Sequence, residues 1–166
     1  AQESRGLGDV YKRQPEDSLQ AFAAMAARVV AQLNHRQVDV MGFSMGGTVA
    51  LQLLLDHPER VRRAVIAGSG PGHVPAEGGG VAPADAAVWQ VATKPVNSDE
   101  DFLFLFFEPT PTSRAAGQAY LARLAQREDA FARQVEPAAW QAQLKAAMAV
   151  GSEGSSLLPR LKDVLH

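Results

Sequence analysis

The sequence has no cysteine, no histidine cluster and no surplus of charge. Without cysteine there is no disulfide framework and no thiolate chemistry. The four histidines lack the spacing of metal ligands, so we expect no metal. We also expect no cofactor. The 16 basic and 18 acidic residues form no basic stripe, which argues against nucleic-acid binding. No apolar run is long enough for a bilayer, so we expect no membrane partner, and no signal-peptide pattern is visible, so we expect a cytoplasmic location.

The sequence does contain one turn between two apolar runs. Its 166 residues, 46% of them hydrophobic, suffice for a domain with a real core. Val38–Met41 is short and rich in β-branched residues, which predicts a strand. Thr48–Leu55 is apolar nearly all round, which predicts a buried helix. The turn that joins them is Gly42-Phe43-Ser44-Met45-Gly46-Gly47.

This turn has the G-x-S-x-G pattern at a strand-to-helix corner. In such a nucleophile elbow, a strained turn lifts the serine hydroxyl clear of the sheet, which makes Ser44 the candidate nucleophile. We expect glycine at positions 42 and 46 because side chains would collide there. Gly47 would let the helix start close to the strand. The Met45 N–H, at the helix N-terminus, is the candidate donor to an oxyanion.

Residues 18–70 resemble the middle of an α/β-hydrolase, a serine-hydrolase superfamily built on a mostly parallel sheet. The resemblance rests on the turn, on Asp56–Val61 (DHPERV) and on Val65–Ser69 (VIAGS). The alternative is a glycine-rich turn with a surface serine, which leaves the doubled glycine unexplained. The implied fold class is α/β, a partial α/β-hydrolase fold with a parallel βαβ unit and an all-helical cap.

We divide the chain into four parts. Residues 1–14 are expected to be a non-native tail, because Asp9–Gln14 back-translates to a transposon end used in sequencing libraries; a natural polar tail is the alternative. Residues 15–70 form the core segment, 71–150 the cap, and 151–166 a return towards the core.

Periodicity predicts the helices and strands of these parts. The core segment is predicted to hold helix 17–34, with Leu19, Phe22, Ala23, Ala26, Val29, Val30 and Leu33 on its packed face, then strand 38–42, helix 45–56 and parallel strand 62–67. The cap is predicted to hold a helix opened by Pro83, one capped by Ser98 with Asp99, Glu100 and Asp101 in its first turn, one over 113–126 and one over 137–151. The resemblance implies that cap residues shape an apolar acyl pocket; the candidates are Trp89, Phe104, Phe107 and Trp140.

The family also needs an acid and a histidine after the serine. Asp163 precedes the expected strand, and His166 comes too early. His35 and His57 are expected to be solvated or structural, and His73 to lie in a glycine-rich loop. We therefore expect neither triad partner in this chain and interpret it as the central fragment of a hydrolase, inactive alone.

The resemblance implies that Ser44 of the parent protein attacks a carboxylic ester or related apolar acyl substrate and forms an acyl-enzyme. Serine at the elbow argues against epoxide and haloalkane hydrolases, which place aspartate there. Esterase, thioesterase, C–C hydrolase, aminopeptidase, cofactor-free haloperoxidase or perhydrolase and acyltransferase activities stay open. The rival from another class is a non-catalytic binding protein on the same fold. The oligomeric state is left open.

Overall fold

The computed structural model describes residues 17–73, 85–126, 135–152 and 154–164. The chain divides into two compact units, residues 1–81 with 141–166 and residues 82–140. They are called the first and the second unit below. The expected tail, residues 1–14, lies outside the described residues, and the four-part division stays a prediction.

The first unit contains the predicted strand–helix–strand sequence. Strand β1 is Val38–Phe43, helix α2 is Met45–Asp56 and strand β2 is Val61–Ala67. The two strands pair in parallel, with Gly42 opposite Ile66. Pro58 opens a short 3-10 turn after α2, which ends the helix as its sequence predicts. The predicted α/β class with a parallel βαβ unit is therefore confirmed.

One face of this sheet is packed and the other is exposed. Val40 and Ala64 pack against the core cluster of the unit, which contains Ala23, Ala27, Leu53 and Val61. Side chains alternate along a strand, so Met41, Phe43 and Val65 lie on the opposite face, where they are more than half exposed. The core therefore lies between the sheet and its helices.

Helix α1, Leu19–Gln32, confirms the predicted helix, although its packed face differs. The Ala21 N–H donates to Ser18 Oγ at 3.2 Å, so Ser18 is the cap. The expectation that Val29 and Leu33 are packed is wrong, because these side chains are 48% and 62% exposed. The buried residues are Leu19, Ala23, Ala27 and Val30. Small alanines allow close contact between helices, and they turn the packed face away from Val29.

The second unit is helical, as its sequence predicts. Its helices are α3, Ala86–Ala92; α4, Asp99–Phe106; and α5, Pro111–Ala125. Helix α6, Pro137–Val150, begins in this unit and ends in the first. Pro83, the predicted start of α3, lies outside the described residues. Helix α5 begins before the expected Ser113, because Thr110 caps it and Pro111 occupies the first turn, where its missing N–H has no helical partner to lose.

The acidic cluster of α4 caps its own helix. Ser98 Oγ accepts from the Asp101 N–H at 3.2 Å, and Asp101 Oδ2 accepts from the Ser98 N–H at 2.9 Å. This reciprocal capping box satisfies two N–H groups that the helix leaves free. Six consecutive apolar residues, 102–107, follow, and the capping box starts a helix there instead of a strand.

Helices α4 and α5 pack closely at Gly117. Leu103 is 2% exposed, and the Phe102 ring stacks on Tyr120 with centroids 5.5 Å apart. A Cβ at Gly117 would lie 2.9 Å from the Phe107 ring and would collide with Leu103. Glycine at this position is therefore a packing requirement.

After α6, the C-terminal residues return to α2. Helix α7 is Leu158–Leu161, and a 3-10 turn follows over Lys162–Val164. Arg160 Nη2 donates to Asp56 Oδ1 at 2.9 Å, and Gln52 Nε2 donates to Asp56 Oδ2 at 2.6 Å. Burial raises the pKa of Asp56, but these two hydrogen bonds and the nearby positive charge of Arg160 together outweigh it and hold that pKa below its usual value. In the described part of the chain, no helix is long and apolar enough to cross a membrane.

Gly117→Ala should destabilise the protein by about 1–3 kcal/mol, because the added methyl overpacks the contact between α4 and α5. The expected sign is opposite to the usual one, since alanine in an open helix interior stabilises by about 0.5–1 kcal/mol. Urea unfolding of both proteins measures the difference. A gain in stability would show that Gly117 is not confined.

Asp56→Asn should destabilise the protein by about 1 kcal/mol at pH 7, because it removes the charge that Arg160 and Gln52 bind. The folded-state pKa of Asp56 is lowered, so its contribution is present above the unfolded pKa and is lost as pH falls through the folded pKa. The difference between the two proteins should therefore shrink below about pH 4. Urea unfolding from pH 3 to pH 7 measures it, and a difference constant with pH would contradict the assignment.

Candidate active site

Ser44 is the single residue between β1 and α2. Its backbone has φ 52° and ψ −130°, in a region that serine rarely adopts. Holding a non-glycine residue there costs about 1–3 kcal/mol and requires support from the surrounding structure. Ser44 is exposed, and it makes no side-chain capping hydrogen bond to the described first turn of α2. The hydroxyl is therefore not used by the helix that it precedes.

The glycines around Ser44 make this corner possible in two different ways. A Cβ at Gly42 would lie 2.7 Å from the Gly47 Cα, and a Cβ at Gly47 would lie 2.8 Å from Ser69 Oγ. The steric prediction for Gly46 is wrong, because a Cβ there meets no heavy atom within 4 Å. Gly42 and Gly47 thus permit the close approach of strand and helix, whereas Gly46 faces open space.

Two backbone hydrogen bonds support Ser44. Its N–H donates to the carbonyl of Ala67, at the end of β2, at 3.1 Å. Its carbonyl accepts from the Gly47 N–H at 2.8 Å, which closes the first turn of α2. Met45 is the first residue of that helix, so its N–H has no partner within the helix and lies at the positive end of the helix dipole.

Sequence reasoning missed the residues that hold α2 against the end of β2. Thr48 is 3% exposed, and its Oγ1 lies 3.0 Å from Ser69 Oγ and 3.2 Å from the Gly70 carbonyl oxygen. Gly68 has φ 55°, and a Cβ there would lie 2.9 Å from the Phe43 ring. Thr48 and Ser69 are 21 residues apart in the sequence, so no local pattern indicated this contact.

The four candidate pocket residues occupy different places in the second unit. Trp89 lies on α3 and is 44% exposed, and Phe104 lies on α4 and is 49% exposed. Phe107 is the C-terminal cap of α4 and packs against Gly117, and Trp140 lies on α6. Their role in a substrate pocket stays a prediction.

A cavity in the second unit does not involve these four residues. Its volume is about 360 Å³, and it lies between α4 and α5. Its lining residues are Asp99, Glu100, Leu103, Gln118, Leu121, Ala122 and Ala125. The aromatic content of the second unit thus does not by itself indicate where a cavity forms.

The described histidines are placed as structural or solvated residues. His57 caps the C-terminal end of α2, so the 12-residue helix, about 18 Å long, separates it from Ser44. His57 Nδ1 lies 3.7 Å from Glu59 Oε1.

The other candidate triad residues lie elsewhere along the chain. His35 is exposed, and the backbone N–H of His73 donates to Ser155 Oγ. The backbone of Asp163 lies in a 3-10 turn, and His166 lies outside the described residues. Within the described ranges no group of residues could hold a metal ion.

The family model of the α/β hydrolase fold matches residues 4–145. Because this match covers most of the 166 residues, the chain belongs to the α/β-hydrolase fold family. The matched region contains the elbow, both strands and most of the helices described above.

Three relatives illustrate this membership. A 2-hydroxymuconate semialdehyde hydrolase from Pseudomonas sp. (strain CF600) is 41% identical over 66 residues, which are 38% of this chain and 23% of that protein. A pimeloyl-[acyl-carrier protein] methyl ester esterase from Yersinia enterocolitica is 41% identical over 61 residues, 37% of this chain and 23% of that protein. The solved structure of an alpha/beta hydrolase fold protein from Chitinophaga pinensis matches with a TM-score of 0.69 and 27% identity, and the match covers 85% of this chain and 49% of that chain.

The chain spans only part of each relative. It matches about a quarter of the length of the two enzymes and about half of the solved structure. Two of these relatives are named as a hydrolase and an esterase, and the chain is similar to them in the segment that it shares.

Ser44→Gly should stabilise the protein by about 1 kcal/mol relative to Ser44→Ala, because glycine adopts a positive φ without strain and alanine does not. Both variants lack the hydroxyl, so the comparison isolates the backbone. Urea unfolding measures it. Alanine as stable as glycine, or more stable, would show that the corner is unstrained.

Proposed function

We propose that Ser44 is the nucleophile of a serine hydrolase that acts on a carboxylic ester or related acyl substrate. The observation that carries the proposal is the backbone of Ser44, whose positive φ places an exposed hydroxyl at the N-terminus of α2. Family membership and the names of the relatives support hydrolysis as the reaction class.

In the proposed reaction Ser44 Oγ attacks the carbonyl carbon of the substrate as its proton passes to a general base. The negative charge moves to the carbonyl oxygen, and the Met45 N–H can stabilise this oxygen by a hydrogen bond. The positive end of the α2 dipole lies at the same place and favours the same charge. Collapse of this intermediate releases the alcohol, which takes up a proton, and leaves acyl-Ser44. Water then attacks the acyl carbon and gives a proton to the general base, the bond to Ser44 Oγ breaks, and the carboxylic acid leaves as Oγ takes the proton back.

The proposal places the general base and its acid partner outside these 166 residues. His57 is at the opposite end of α2 from Ser44, and it is the described histidine nearest to Ser44 along the chain after the elbow. A serine without its base keeps little of its catalytic power, since loss of a triad member costs about 10⁴–10⁶-fold in kcat. The 166-residue chain alone is therefore expected to be almost inactive.

Beyond an ester or related acyl group, the proposal does not specify the substrate. The esterase and the semialdehyde hydrolase match with the same 41% identity, so the matches favour neither substrate. Acyl transfer and cofactor-free perhydrolysis use the same acyl-Ser44 with a different attacking group. A non-catalytic binding protein needs no reactive serine, so it differs from all of these in one measurable property.

A fluorophosphonate probe should label Ser44 in the protein encoded by the complete reading frame that contains these residues. Ser44→Ala should abolish labelling, because it removes the nucleophilic oxygen. Ser152→Ala is the matched control: it also removes a serine hydroxyl from the same unit, and it should label like the original protein. Mass spectrometry identifies the modified residue.

Each other outcome of this experiment contradicts a stated part of the proposal. A complete protein that stays unlabelled would favour the binding protein, and labelling that persists in Ser44→Ala would move the nucleophile elsewhere. Rapid hydrolysis of p-nitrophenyl acetate by the 166-residue chain, lost in Ser44→Ala, would place the base inside this chain.

A further inference from the structure

We infer that the hydroxyl pair of Thr48 and Ser69 is a positioning element that holds Ser44 in its positive-φ conformation. The inference rests on the proposed role of Ser44 and deepens it. It assigns a function to two residues that take no part in the bond-forming steps.

The Thr48 hydroxyl donates one hydrogen bond and accepts another. Thr48 Oγ1 donates to the Gly70 carbonyl at 3.2 Å, and a hydroxyl has one proton to donate. The proton of the 3.0 Å contact with Ser69 must therefore come from Ser69 Oγ, and Thr48 Oγ1 accepts it. Thr48 is 3% exposed, so water cannot readily replace either bond.

These bonds join one short segment to the chain at the strained residue and just after it. The segment Ala67–Gly70 accepts the Ser44 N–H at its first residue, and it holds Thr48 through its last two residues. The same short segment thus contacts the chain at Ser44 and four residues later. A displacement of this segment from α2 would loosen both contacts together.

The chain is closely packed between the contact at Ser44 and the contact at Thr48. A Cβ at Gly47 would lie 2.8 Å from Ser69 Oγ and 3.2 Å from Ile66 Cγ2, so the start of α2 is pressed against β2 and its exit. Backbone strain at a positive φ persists only where the surroundings fix it in several ways. The Thr48–Ser69 pair supplies a side-chain restraint in addition to the two backbone bonds of Ser44.

A purely structural role would leave a different signature. If the pair only satisfies the buried Thr48 hydroxyl, its loss lowers global stability and affects every amide through global unfolding alone. If it positions Ser44, its loss also increases local opening at the Ser44 N–H. Residue-resolved amide hydrogen exchange by NMR separates the two cases, and it needs no catalytic activity.

The test uses the 166-residue chain with variants that change one hydroxyl at a time. Thr48→Val keeps the side-chain shape without the hydroxyl, and Ser69→Ala removes the other partner. Ser69→Ala should speed exchange of the Ser44 amide by about fivefold beyond the change in global stability, as expected for the loss of one hydrogen bond. Thr48→Val also removes the bond to the Gly70 carbonyl, so it should speed exchange by at least as much. Thr48→Ser, which retains the hydroxyl, should restore exchange to near the original rate.

Ser152→Ala is the matched control, because Ser152 Oγ donates to the Ala149 carbonyl at 2.7 Å in the same unit, at the end of α6. It should leave the Ser44 amide unchanged. The double variant Thr48→Val, Ser69→Ala should exchange no faster than Thr48→Val alone, since the two changes remove one shared interaction.

Exchange at Ser44 that follows global stability in both Thr48→Val and Ser69→Ala would overturn the inference. Ser69→Ala is the milder change and provides the result if Thr48→Val does not fold. Failure of fluorophosphonate labelling would remove the catalytic role of Ser44 without altering amide exchange, so the two proposals fail separately.

Discussion

The passage from β1 to α2 through a single residue is the constraint on which the first unit depends. A chain that leaves a strand and enters a helix in one step must reverse direction at that residue, and Ser44 does so at φ 52°. The reversal brings Gly42 and Gly47 so close that a side chain at Gly42 would meet the Gly47 backbone. It also brings α2 down onto β2, where Ala67 accepts the Ser44 N–H. The strain at one residue is thus balanced by contacts that the parallel pairing of the strands makes possible.

Local signals predicted most elements of the fold. Strand β1, helix α2 and strand β2 follow from apolar runs that are interrupted by glycine and proline, and α4 follows from its Ser98 capping box. These signals act over three or four residues, so the sequence contains them in full. The packed face of α1 was less predictable, because it depends on how closely Ala23 and Ala27 let another helix approach.

The candidate site divides in the same way. Ser44 could be found from sequence, because G-x-S-x-G encodes a local corner and the glycines that permit it. The Thr48–Ser69 pair joins residues 21 positions apart, and it exists only once β1 and β2 pair in parallel, so no local pattern predicts it. The aromatic residues proposed for a pocket show the converse problem. The resemblance implied that Phe107 lines a pocket, and the structure gives it Gly117 as a neighbour.

Two helix N-termini in this chain are treated in opposite ways, and the contrast bears on function. Helix α4 begins with Asp99, Glu100 and Asp101, whose negative charges offset the positive end of its dipole. The capping box of Ser98 and Asp101 also binds two of the N–H groups at this end. Helix α2 has no acidic residue in its first turn, and Ser44 provides no side-chain cap there. A helix that must only be stable gains from the first arrangement. The second leaves positive potential and the Met45 N–H beside an exposed hydroxyl, and it gains stability when negative charge develops there. Acyl transfer to Ser44 would produce this charge change, so the lack of a side-chain cap at α2 supports the proposed role of this corner.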